Sequence, residues 1–134
     1  MAGYSGTPLF KKLGIAHWHG VYVENAPPDY FKLLGDFPSG VVFYDDPPTA
    51  ANIVHVFARD SAEVLGAIAR FHDVIWPDGA LWISWYKKAS KIPTDVTEDL
   101  IRDAAIMNGL VDVKVCAVDG VWSALKLVIP VALR

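Results

Sequence analysis

Lys87, Lys88 and Lys91 make the only cluster of positive charge in the chain. With Ser90 they precede a helix start, where ammonium groups and free backbone N–H groups can together hold a phosphate or a carboxylate. Asp45 and Asp46 offer the opposite chemistry. Two adjacent carboxylates at the end of a strand can accept hydrogen bonds from ribose hydroxyls. The remaining reactive side chains are scattered. His17 and His19 share a face only if a strand has begun there, His55 lies in the apolar run NIVHVFA, and His72 falls on a helix. No cysteine or third ligand stands near them, so no metal site is expected. The lone Cys116, in VKVCAV, has no partner for an intramolecular disulfide and reads as a small core residue. With no G-x-S-x-G, P-loop or H-E-x-x-H pattern, no residue is assigned a catalytic role.

Size and composition say what must surround these groups. A chain of 134 residues is long enough for one domain with a real core and too short for two ordinary ones. Hydrophobic residues make up 53% and charged ones 20%, which argues for strands covered on both faces and against disorder. A formal net charge of -3 gives no general attraction to nucleic acid. No apolar run approaches the roughly 20 residues of a membrane span, and MAGYSGTPLFKK lacks the apolar centre of a secretion signal. The expectation is a cytoplasmic protein.

The elements can be read in order. Thr7-Pro8 before LFKKLG predicts a helix over about 7–14, stopped by Gly14. Strands follow near 20–24, 41–45 and 52–58, with a short helix PDYFKLLG after the first and no room for a crossover helix in PPTAA after the second. Asp60 and Glu63 form a capping box for SAEVLGAIARFHDVI, whose Val64, Leu65, Ile68, Phe71 and Ile75 fall on one stripe. Trp76-Pro77-Asp78-Gly79 reads as a turn before a strand over 80–86, on which Trp82 and Trp85 point to opposite faces. Asp95 and Glu98 repeat the capping pattern for a helix carrying Leu100, Ile101, Ala104 and Met107 inward and ending at Asn108-Gly109. Finally VDVKVCAV and VWSALKLVI flank Asp119-Gly120, the dipeptide of two-residue hairpins. Strands separated by helices favour parallel pairing, so the expected fold is a single α/β domain with a mixed, mostly parallel sheet and an antiparallel C-terminal hairpin.

A strand entered through PDGALWISW, a helix and a closing hairpin resemble the C-terminal half of the class I methyltransferase-type Rossmann fold, in which the last strand is inserted antiparallel. AGYSGTPLFKKLGI, WYKKASKIPTDVTED and GLVDVKVCAVDGVWSALKLV together resemble a bacterial family catalogued only as a domain of unknown function, common in actinobacteria. The first resemblance implies a methyltransferase-like topology. The second implies no reaction, ligand or catalytic residue.

A methyltransferase of that class places a glycine-rich turn after its first strand, so that the backbone can approach the methionine part of S-adenosylmethionine. Here the turn is ENAPPDY, without glycine, and Pro27 and Pro28 lack N–H groups. Open α/β sheets bind ligands beyond their strand carboxyl ends, which makes Asn25, Tyr30, Asp45, Arg59, Lys87 and Lys88 the candidate lining of a shallow cleft. The expectation is therefore a non-catalytic Rossmann-like domain, without a cofactor, that binds a small anionic ligand or an acidic protein segment. An S-adenosylmethionine-dependent methyltransferase and a structural oligomerisation module are the alternatives. Trp122, on a hairpin whose outer edge is open, marks the surface through which a homo-oligomer would form.

Overall fold

The computed structural model describes residues 6–134; residues 1–5, part of the segment read for a secretion signal, lie outside them. The strands are β1 (Gly20–Glu24), β2 (Val42–Tyr44), β3 (Ala51–Phe57), β4 (Ile75–Tyr86), β5 (Val111–Ala117) and β6 (Trp122–Val128), and the helices are α1 (Leu9–Leu13), α2 (Tyr30–Leu34), α3 (Ser61–Phe71) and α4 (Glu98–Met107). Together these strands form one sheet in the order β2-β1-β3-β4-β6-β5. Strands β1 to β4 pair in parallel, and β6 lies antiparallel between β4 and β5. This is the methyltransferase-like Rossmann arrangement expected from the sequence: a single α/β domain, mostly parallel, with a C-terminal antiparallel hairpin. Among the described residues no helix is long and apolar enough to cross a membrane.

Alternation along the strands builds two cores. Val54, Val56, Leu81 and Ile83 face α3 and α4, which contribute Val64, Ile68, Phe71 and Ile101. Ile53, Phe57 and Trp82 face the other way, toward Leu9 and Leu13 of α1 and Tyr30 and Leu34 of α2. Neither β3 nor β4 exposes a face, which is why both read as near-continuous apolar runs.

Several local expectations need correction. Helix α1 starts at Leu9, with Pro8 as an extended boundary residue. The segment 76–79 bulges within β4, and Gly79 is required there because a Cβ would lie 2.5 Å from the Asn52 carbonyl oxygen. Leu65 and Met107 are exposed, since the buried stripes run through Ala67 in α3 and Ala105 in α4. The hairpin pairs as expected, but its connection spans 118–121, with Asp119 Oδ1 accepting from the N–H groups of Val121 (2.8 Å) and Trp122 (2.9 Å). Trp122 lies on the inner strand β6, so the open edge belongs to β5.

Capping follows the sequence only in part. Asp60 Oδ1 accepts from Glu63 N at 2.9 Å, while Glu63 turns back to the backbone N–H of Arg59 rather than that of Asp60. Helix α4 is capped by Thr97, and Asp95 instead accepts from Ser61 N and Oγ at the start of α3. Asp60→Ala is expected to cost about 1 kcal/mol of stability, the usual size of a lost N-cap. An unchanged urea midpoint would show that Glu63 N–H has another acceptor.

Candidate functional site

The carboxyl ends of β1 to β4 lie along one side of the sheet, and each carries polar residues. At the end of β1, Glu24 holds both arms of Arg70 from α3 and accepts from the Tyr22 hydroxyl. The pair fastens α3 to the first strand. The next residue, Asn25, has φ +58°, so the chain reverses here in the left-handed conformation that glycine usually supplies. Its side-chain amide donates to the Phe57 carbonyl at the end of β3, 3.4 Å away. The turn is thus made without glycine.

Beyond β2, Asp45 and Asp46 are exposed to solvent. Beyond β3, Arg59 donates to Glu63 through Nε (3.1 Å) and Nη2 (2.9 Å). The guanidinium holds the Glu63 carboxyl below the usual carboxylate range. Arg59 therefore has a partner already, and its carbonyl accepts from Thr94 Oγ1 of the neighbouring loop at 2.8 Å.

The end of β4 opens into a cleft of about 810 Å³ between Trp85, Tyr86, the loop 87–97 and the first turn of α4. Of the six candidate residues, Lys87 and Lys88 line it, and Lys91 joins them. Asn25 and Asp45 do not. Strand β3 separates β1 from β4, and at about 4.8 Å per strand Asn25 stands some two spacings from Lys87 and Asp45 some three.

Tyr30 corrects the cleft more sharply. The first turn of α2 directs it into the core, where it is 2% exposed and its hydroxyl lies 2.9 Å from His55 Nδ1. On the other side His55 Nε2 lies 2.6 Å from Ser84 Oγ. A neutral imidazole donates at one nitrogen and accepts at the other, so Tyr30, His55 and Ser84 form one chain with a single direction of donation. His55 and Ser84 are fully buried, and burial lowers the His55 pKa to about 3. No solvent reaches this chain. It ties α2, β3 and β4 together beneath the strand ends, packed against Phe57, whose edge meets Trp122, which stacks on Tyr86.

In the sequence His55 reads as one of four scattered histidines, and nothing there singles out Ser84. The signal was present as a polar residue inside each of two apolar neighbouring strands, His55 in NIVHVFA and Ser84 in ALWISWY, but only the register brings them together. His17 and His19 are engaged locally, by Ser39 Oγ (3.1 Å) and the N–H of Ala16 (3.1 Å).

No family model and no curated protein matches the chain. Solved structures do. The fold is similar to a SAM-dependent methyltransferase from Aquifex aeolicus (TM-score 0.62, 11% identity, covering 90% of this chain and 88% of that one). It is similar also to the CcbJ methyltransferase from Streptomyces caelestis (TM-score 0.58, 8% identity, 90% and 87%). A third is the O-methyltransferase NcsB1 of neocarzinostatin biosynthesis, solved with S-adenosylmethionine and a naphthoic acid (TM-score 0.59, 12% identity, 96% and 51%). At such identity the likeness speaks for the fold. The expectation of a non-catalytic domain nevertheless requires correction. It rested on the missing glycines, and the three similar structures named above are methyltransferases.

Proposed function

We propose that the chain binds S-adenosylmethionine across the carboxyl ends of β1, β2 and β3 and transfers its methyl group to an acceptor. The observation that carries this reading is the strand order β2-β1-β3-β4-β6-β5 with β6 reversed, which sets the β1 turn beside the acid-bearing end of β2. When bound, the cofactor supplies a methyl group on a positively charged sulfur. The residues present fit it best at the ribose. Asp45 and Asp46 are exposed, one strand spacing from the turn, and their carboxylates can accept from both hydroxyls. Asn25 holds the turn reversed, and the exposed Ala26 keeps side-chain bulk away from it. Pro27 and Pro28 offer no N–H groups, so the amino-acid end of the cofactor must be held by side chains and the few remaining backbone donors. The bacterial setting implied by the resemblance and the cytoplasmic location expected from the sequence belong to the same proposal.

Calorimetric titration with S-adenosylmethionine and S-adenosylhomocysteine tests it. One molecule of each is expected per chain, and the Asp45→Ala/Asp46→Ala double variant should bind roughly 10- to 100-fold more weakly, the effect of losing charged hydrogen-bond acceptors. Its thermal midpoint without ligand should stay near the parent's, because both side chains are exposed. No saturable binding by the parent, or equal binding by the variant, would end this reading.

A further inference from the structure

We infer that the cleft at the end of β4 binds an organic anion with an aromatic or branched apolar body. Resting on the methyl-transfer reading above, it is the seat of the methyl acceptor. The walls supply the apolar part. Trp85 and Tyr86 are only half-buried, and Ile92, Pro93 and Val96 complete a surface that a fully hydrated ion would not need. Lys87, Lys88 and Lys91 supply the charge.

Two acidic residues, Glu98 and Asp99, also line the cleft, and they share one cationic partner. Arg102 reaches Glu98 and Asp99, each at 2.6 Å, and places its Nε on Asp112 at 3.1 Å. One guanidinium offsets only one of these three carboxylate charges, and the positive balance of the lining comes from its three lysines set against Glu98 and Asp99. The three lysines make no ion pair among the described residues. An entering carboxylate or phosphate therefore finds ammonium groups with no internal competitor.

The loop is also organised before any ligand arrives. Ser90 Oγ donates to the Lys87 carbonyl (2.7 Å) and accepts from Ile92 N (3.2 Å), and Thr94 Oγ1 donates to the Arg59 carbonyl while accepting from Val96 N (3.2 Å). Lys91 itself sits at φ +60°, a left-handed conformation that non-glycine residues adopt at a cost in energy. A rigid loop that holds a strained lysine at a cleft mouth loses little freedom on binding. The volume, about 810 Å³, lies within the range of small-molecule sites. The acids of β2 stand about 14 Å away by strand spacing, but the end of β3, where the proposed donor site stops, is the neighbour of β4, so the cleft adjoins the donor site rather than overlapping its ribose end.

The test uses the full chain, isotopically labelled, with biphenyl-4-carboxylate as the probe and biphenyl-4-carboxamide as its uncharged match. The carboxylate is expected to shift amide resonances within 85–99 and to bind at least ten times more tightly than the amide. The difference should disappear in the Lys87→Ala/Lys88→Ala/Lys91→Ala variant, whose remaining spectrum should overlay the parent's, and should shrink in high salt. S-adenosylhomocysteine, titrated into the same samples, should bind parent and variant alike. Equal affinity for the two probes, shifts confined to another surface, or undiminished carboxylate binding by the variant would overturn the cleft. If the carboxylate binds here and S-adenosylhomocysteine binds nowhere, the cleft stands as an anion site and the methyl-transfer reading falls.

Discussion

Between pH 7 and pH 4 the protein should lose about 3 kcal/mol of folding stability through His55 alone. The imidazole is fully buried between Tyr30 and Ser84, and desolvation is the cause that lowers its pKa from 6.5 to about 3. The unfolded chain therefore takes up a proton near pH 6.5 while the folded chain does not. Below 6.5 the unfolded state binds more protons, so stability falls with pH until about 3, where the folded state can also protonate. At 1.36 kcal/mol per pH unit, the 2.5 units between 6.5 and 4 give the stated loss. Glu63 and Asp95, whose pKa values are lowered by their partners, lose stability in acid as well, so the His55 share must be read as a difference. His55→Gln should be less stable than the parent at pH 7, with the gap narrowing by about 3 kcal/mol at pH 4 in urea denaturation. A gap that stays constant would mean that His55 ionises in the folded state. An NMR titration gives the same answer without a variant: the His55 ring resonances should hold their neutral positions down to pH 5.

That chain also marks the limit of what the sequence could tell. Strand positions, the α3 cap and the final hairpin were legible, because each is set by residues close together: alternation, Asp60 with Glu63, and the turn around Asp119. Where a side chain points depends on partners far along the chain. Tyr30 follows the β1 turn and so looked like a lining residue, yet the helix phase after Asp29 turns it toward His55, 25 residues away. Asp95 looked like a cap for its own helix and proved to cap α3, 34 residues earlier, because the parallel crossover brings the two helix starts together. The lysine cluster was legible as charge. Its cleft was not, since the walls come from the end of β4 and the start of α4, and Arg102, which pairs with the cleft's acids, from the next turn.

The other large effect is expected at Trp82, the biggest fully buried side chain. Trp82→Ala should cost 3–5 kcal/mol, the usual range for deleting a buried aromatic, while Trp82→Phe should cost about 1–2 kcal/mol. The two differ because Trp82 does two things. Its ring fills the core beneath α1, and its indole N–H donates to the carbonyl of Leu13 at the helix end, 3.1 Å away. Phenylalanine keeps most of the first and loses the second. A helix of five residues cannot hold itself in water, so α1 depends on Leu9, Leu13, this bond and Lys12, whose Nζ donates to the Ala117 carbonyl at the end of β5 (2.8 Å). In Trp82→Ala the amides of α1 should exchange at nearly unprotected rates while those of β1, β3 and β4 stay protected. The consequence reaches the cleft. Helix α1 braces the hairpin through Lys12, and the hairpin places Trp122 against Tyr86, which forms part of the cleft wall. Trp82→Ala should therefore weaken binding of the biphenyl carboxylate, and Trp82→Phe should leave it near the parent's value. A Trp82→Ala variant that loses less than about 2 kcal/mol, or that keeps α1 protected, would show that the helix is held without the indole.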